Sequence, residues 1–204
     1  MSERGMIFNA EMVNVILSGR KTQTRRPIKW KQTRFTEIAE RDDGSLWPWA
    51  EDCERGGDIW FACPYGEIGD RIWMRETFRV HSRATDVATL VYRASVRNSW
   101  TEQTHRVPVA VCNKPATPEK WTPSIHMPRW ASRITLEITD VRVERLNSIT
   151  ESDAEAEGVT DTGFGDLLVD GFRYLWKSIY GDDSWQANPW VWVIEFKRIE
   201  GGAA

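Results

Sequence analysis

The sequence predicts an α+β fold, a small, partly open β-barrel with flanking helices and long insertions. Three observations carry this. Apolar residues recur at helical spacing near residue 12 and again after residue 150, while alternating runs lie between them and at the end. The elements run helix, strands, helices, final strand, without regular β-α-β alternation. No G-x-G-x-x-G turn is present, which disfavours a dinucleotide-binding sheet.

In chain order, "FNAEMVNVILSGR" places Met12, Val13, Ile16 and Leu17 at helical spacing, with Asn9 as N-cap and Gly19 just past the end. "GDRIWMRETFRV" reads as a turn and then a strand, with Ile72, Met74, Glu76 and Phe78 on one face. Glu76 either breaks that core face or lines a pocket. "TLVYRAS" reads as another strand. "RITLEITDVRVERL" is the clearest strand signal, with a bulge expected where the alternation slips near Asp140. "SITESDAEAEGV" opens with a capping-box pattern, Thr150 followed by Asp153, and stops at Gly158. "GDLLVDGFRYLWKSIYG" aligns Leu168, Phe172, Leu175, Trp176 and Ile179 on one helical face, and "NPWVWVIEFKRI" is a closing strand with bulk on both sides. Residues near 31–58 form an acidic, glycine-punctuated excursion, and those near 95–120 a polar, proline-bearing one. No linker splits the chain, so one domain over 1–204 is expected.

The 204 residues carry a net charge of −3, so no global basic field exists to hold long nucleic acid. The charge is unevenly spread, with seven Lys/Arg and no acid from Arg20 to Arg34, then eight acids from Glu37 to Asp58. This favours a short anionic ligand over a long duplex. The twelve tryptophans suit a core, or sites where flat rings stack. Three cysteines without a C-x-x-C pair disfavour a disulfide framework, and three scattered histidines give no metal spacing. No metal and no cofactor are expected. No signal core and no membrane-length apolar run occur, so a cytoplasmic location is expected, with no membrane and no protein partner.

The octet "GRKTQTRR" sits directly after the first helix. Cations there complement a helix C-terminus, and a charge run ordinarily faces water. The alternative is chemical. Lys21 and Thr24 lie three apart at the helix exit, where a tight loop aims both at one point. A threonine hydroxyl attacks poorly unless a base takes its proton. A lysine serves as that base only when burial or nearby cations, here Arg20, Arg25 and Arg26, lower its pKa. Spacing alone reads Glu157 as an exposed helix residue and Glu76 as an ion-pair partner of Arg71, Arg75 or Arg79. "PSIHMPRWASR" sets His126, Arg129, Trp130 and Arg133 after a proline turn, either as packing or as a stacking ring with a phosphate-binding arginine.

"ILSGRKTQTRR" resembles the signature of the ASCH domain, a small barrel similar to the PUA domain, in which G-x-K-x-x-T-x-R follows a helix. Gly19, Lys21, Thr24 and Arg26 match it without a gap. "DAEAEGV" resembles the later acidic element of that family and puts its carboxylate at Glu157. The segments around Trp73, Trp130 and Trp192 resemble a longer bacterial and prophage branch. The resemblance implies a cleft for a nucleotide or base. In one branch, a 4-acetylcytidine amidohydrolase, the matching Lys, Thr and Glu are catalytic. Carried over, Lys21 would be general base, Thr24 nucleophile and Glu157 the acid/base or polarising group. Apart from that carry-over, Arg25, Arg26, Glu76, Arg129 and Trp130 are expected to bind the ligand, a modified nucleoside or short RNA. The extra arginine at position 25 and the insertions depart from the compact type. The rival expectation is an RNA-binding module of PUA-like type, or a ribonuclease.

Overall fold

The computed structural model describes residues 1–30, 37–52, 54–95, 104–160 and 167–199. Along the chain run β1 (Glu3–Ile7), α1 (Ala10–Leu17), β2 (Gln23–Pro27), β3 (Glu37–Glu40), β4 (Leu46–Glu51) and β5 (Asp58–Trp60). There follow β6 (Arg71–Arg75), β7 (Phe78–Arg83), β8 (Val87–Tyr92), β9 (Thr104–Pro108) and β10 (Thr135–Arg145). α2 (Glu151–Ala156), α3 (Leu168–Tyr180) and β11 (Trp190–Ile199) complete the described elements, an α+β fold. Among the described residues no helix is long and apolar enough to cross a membrane.

The chain divides into two compact units, one made of residues 1–19, 70–137 and 198–204, the other of 20–69 and 138–197. In the first unit β1 pairs parallel with β6, and the start of β10 pairs antiparallel with β6 through Leu136 and Ile72. A β7–β8–β9 meander carries the core, with Phe78, Leu90, Tyr92, Met127 and Ala131 fully enclosed. α1 forms as its sequence requires. Asn9 accepts the Met12 N–H at 2.8 Å, Val13 and Ile16 turn inward, and Gly19 follows at φ 76°, open to glycine without strain.

In the second unit β2 pairs antiparallel with β11, and β3–β4–β5 form a separate antiparallel sheet. The core gathers Leu146, Ala154, Phe172, Trp176, Val191 and Val193 under α2 and α3. The α3 stripe packs through Leu168, Phe172, Leu175 and Trp176, while Ile179 stays outside at 44% exposure.

The structure corrects two strand readings. "GDRIWMRETFRV" is two strands, because the chain turns at Glu76 and Thr77, where the Glu76 N–H meets Met127 Sδ at 3.1 Å. Both excursions also contain sheet: β3–β5 in the first, and β9 in the second, where it pairs with β8. Alternation did not show this for β9, because Val107 is its one buried apolar side chain. Residues 31–36, 53 and 96–103 of those excursions lie outside the described residues.

The capping box that starts α2 is complete. Thr150 Oγ1 accepts the Asp153 N–H at 3.2 Å, and Asp153 Oδ2 accepts the Thr150 N–H at 3.0 Å. Replacing Thr150 with alanine is expected to cost about 0.5–2 kcal/mol, read as a lowered urea midpoint with unchanged slope.

Candidate functional site

Lys21, Thr24, Arg26 and Glu157 fall in the second unit, at the join of β2 with the end of α2. The Thr22 N–H donates to Ala156 O at 2.8 Å, and Thr22 O accepts the Phe196 N–H at 2.8 Å. These two bonds fix the backbone beside Lys21. Its ammonium then donates twice to Glu157, to the carboxylate Oε2 at 2.6 Å and to the main-chain oxygen at 2.8 Å. Glu157 is the C-cap of α2, so its carbonyl is one that the helix leaves unpaired, and Lys21 supplies the missing donor and a charge at the negative end of the dipole. The side chains are 0% and 2% exposed. Burial therefore overturns the exposed-helix reading of Glu157.

Burial is also the largest influence on Lys21 and lowers its pKa below the ordinary lysine value; the charge and hydrogen bond of Glu157 oppose this, and Arg26 and Arg25 add to the lowering. Thr24 is 2% exposed and lies opposite Ile194 in the β2–β11 ladder. Strand alternation turns Thr24 and Arg26 to the face shared with Ile194 and Trp192, whose ring meets Trp47 edge-on at 5.3 Å. Gln23 and Arg25 take the other face. Arg25 is enclosed there. It donates to Gln23 Oε1 and faces Glu144 and Asp153 at 3.2 Å each and Glu157 Oε1 at 3.6 Å. It meets protein acceptors, whereas the sequence suggested a ligand.

Behind Arg25 stands a network that sequence reasoning missed. Arg142 donates to Glu144 at 2.6 Å, Glu195 at 2.5 Å, Asp140 at 3.0 Å and Asp153 at 3.3 Å. Burial works against its charge, yet Glu144, Glu195 and Asp140 outweigh it and hold the guanidinium more basic than usual. Burial similarly opposes the charge of Asp153, but bonds from Thr150 and Gln23 and the charge of Arg25 hold its carboxyl below the usual range. A signal existed: Asp140, Arg142 and Glu144 alternate with Val141 and Val143, which puts three charges on one strand face.

Glu76, Arg129 and Trp130 belong to the first unit. The partner of Glu76 is Arg133, which reaches both carboxylate oxygens, at 2.8 and 3.0 Å, lies 4.1 Å from the Tyr92 ring centre and donates to Ser95 at 2.9 Å. Burial raises the pKa of Glu76, while the bonds and charge of Arg133 oppose the rise. Glu76 also lines a cavity of about 580 Å³ with Phe8, Asn9, Thr77, Arg93 and Ser124. Arg129 forms a two-point bridge to Glu3 at 2.8 and 3.0 Å. Trp130 packs edge-on against Phe78 at 6.3 Å, as part of the core boundary. Among the described residues no group of three His, Cys, Asp or Glu is placed to hold a metal ion.

No family model matches the sequence, and a search of curated proteins finds no match. In structure the chain is similar to an ASCH domain from Lactobacillus crispatus JV V101, at 13% identity and a TM-score of 0.41, over 97% of this chain and 79% of the other. It is also similar to a DUF984 protein from Enterococcus faecalis V583, at 11% identity and a TM-score of 0.41, over 100% and 86% of the two chains.

Removing one partner of a buried pair strands the other charge. Arg133→Met is expected to destabilise the protein by about 3–5 kcal/mol in denaturant unfolding. The Glu76→Gln, Arg133→Met double variant should recover part of that loss, because no full charge is then left buried.

Proposed function

We propose that the chain hydrolyses an amide on a modified nucleobase, with 4-acetylcytidine as the type of substrate. The observation that carries this reading is the enclosed Lys21–Glu157 pair. A lysine whose amine is made easier to deprotonate by burial can act as a base, and a carboxylate 2.6 Å away can pass the proton on. In the proposed sequence the hydroxyl of Thr24, or a water beside it, adds to the acyl carbon while Lys21 takes its proton. The proton moves through Glu157 to the exocyclic nitrogen, the C–N bond breaks, and the base leaves as a neutral amine. If Thr24 carries the acyl group, water releases it in a second step by the same route. The ASCH resemblance of Gly19, Lys21, Thr24, Arg26 and Glu157 points the same way. The position of Thr24 on the Trp192 face of β2 makes the identity of the attacking oxygen the point to test.

A second reading, RNA binding without turnover, has one feature in its favour. Arg41 lies 4.2 Å from the Trp47 ring centre and 5.1 Å from that of Trp60, a cation–aromatic cluster of the kind that also receives bases. It does not account for a buried lysine–carboxylate pair, since a binding surface needs its cations at the surface.

Incubation of the purified protein with 4-acetylcytidine should yield cytidine and acetate. Glu157→Gln is expected to lower turnover at least ~100-fold, measured per folded molecule, because losing one partner of a buried pair also costs stability. The rate should rise with pH through an ionisation below the free-lysine value of about 10.4, since the neutral amine is the active form, and Lys21→Met should abolish that limb. A loss in Thr24→Ala as large as in Lys21→Met identifies the hydroxyl as nucleophile, because nucleophile and base act as a unit; a small loss identifies water. Turnover at the wild-type rate in the Lys21→Met, Thr24→Ala variant would rule the site out.

A further inference from the structure

Arg25 stands outside the ASCH-like motif, yet it is the most enclosed cation beside the Lys21–Glu157 pair. Its side chain has no exposed surface, and its guanidinium is held from several sides. Gln23 Oε1 accepts from Nη1, while Glu144 Oε2 and Asp153 Oδ2 each stand 3.2 Å from Nη2. Glu144 and Asp153 are themselves held by Arg142, so the acceptors around Arg25 are fixed before it arrives. The remaining neighbour is Glu157 Oε1, 3.6 Å from Nη1. That oxygen is buried without a hydrogen-bond partner, whereas Oε2 of the same carboxylate binds Lys21.

We propose that Arg25 is a positioning residue: anchored by Gln23, Glu144 and Asp153, it holds the Glu157 carboxylate so that Oε2 faces Lys21. The inference rests on the function proposed above for the pair. An apolar residue in place of Arg25 would let the carboxylate turn and would leave Glu144 and Asp153 with less compensation. The charged groups facing Lys21 are Glu157, Arg25 and Arg26, and those facing Glu157 are Lys21 and Arg25. Loss of Arg25 therefore removes one of the two cations that disfavour protonation of Lys21. The Lys21 ionisation should move upward, and the alkaline limb of the rate with it.

The test compares Arg25→Gln and Arg25→Lys with the wild type. In Arg25→Gln, kcat is expected to fall on the order of 10–100-fold, the scale of a misplaced catalytic group, with KM little changed and the alkaline limb shifted to higher pH. Arg25→Lys restores the charge without the planar fork, so it should return the limb toward its original pH while leaving kcat low. A wild-type rate and pH profile in Arg25→Gln would overturn the proposal. If Arg25→Gln does not fold, Glu144→Gln loosens the same guanidinium from a partly exposed position and should lower kcat in the same direction; an unchanged kcat there overturns the proposal. The Lys21 titration, followed by NMR at Nζ, separates this inference from the proposed reaction. Absence of 4-acetylcytidine turnover in the wild type would sink the reaction, while the upward shift of Lys21 in Arg25→Gln would still be expected. An unmoved Lys21 midpoint would sink the role of Arg25, whatever the substrate.

Discussion

A lysine and a glutamate meeting at 2.6 Å with almost no exposed surface is the arrangement on which much of the second unit depends. Taking two charges out of water costs several kcal/mol each unless every remaining donor and acceptor finds a partner. The fold offsets most of that cost from three elements, with Glu157 Oε1 left without a hydrogen bond. α2 ends at Glu157 and so presents both a carboxylate and an unpaired carbonyl to one ammonium. β2 is tied at Thr22 to both α2 and β11, which fixes the backbone beside the lysine. Behind them Arg25 and Arg142 share Glu144 and Asp153, so that the acidic residues near the pair are compensated in turn. Replacing a buried ion pair by apolar residues of similar volume is often neutral or stabilising, so the pair by itself is weak evidence of a contribution to stability.

The capping of α2 shows how local signals feed this arrangement. Asp153 serves the Thr150 N–H at the helix start and also accepts from Gln23 and lies beside Arg25. One residue thus sets where the helix begins and anchors the cation beside the carboxylate where it ends. Helix register and site geometry are therefore coupled, and a shift of α2 by one residue would move Glu157 away from Lys21.

The elements legible in the sequence are those whose signal is local. Asn9, Gly19, the Thr150–Asp153 box and the apolar stripe of α3 each depend on neighbours within four positions, and each appears where the spacing put it, apart from Ile179, which is exposed. The breaks came where a distant partner decides. Glu76 reads as either breaking one strand's face or lining a pocket, and it does line a cavity, but the ion-pair partners expected for it are its own neighbours Arg71, Arg75 or Arg79. Its partner, Arg133, lies 57 positions away, and no period in the sequence encodes that contact. β9 was hidden for a similar reason, since a short strand paired on β8 with one buried apolar side chain carries almost no alternation.

The two arginines at positions 25 and 26 show the limit from another side. In sequence Arg25 and Arg26 are adjacent, equally charged and equally placed to meet an anion. Strand geometry sends them to opposite faces of β2, since neighbouring side chains on a strand point apart. Arg25 turns toward Glu144, Asp153 and Glu157, while Arg26 shares the face of Ile194 and Trp192. Once β2 is known to be a strand, parity alone separates them, and Gln23 joins Arg25 by the same rule. The sequence held that parity, but a short strand of Gln, Thr, Arg, Arg and Pro gives no apolar alternation from which to read it. What fixes the pairing is β11, whose strand character is plain in "WVWVIEF", apolar on both faces, and whose register against β2 places Thr24 and Arg26 opposite Ile194 and Trp192.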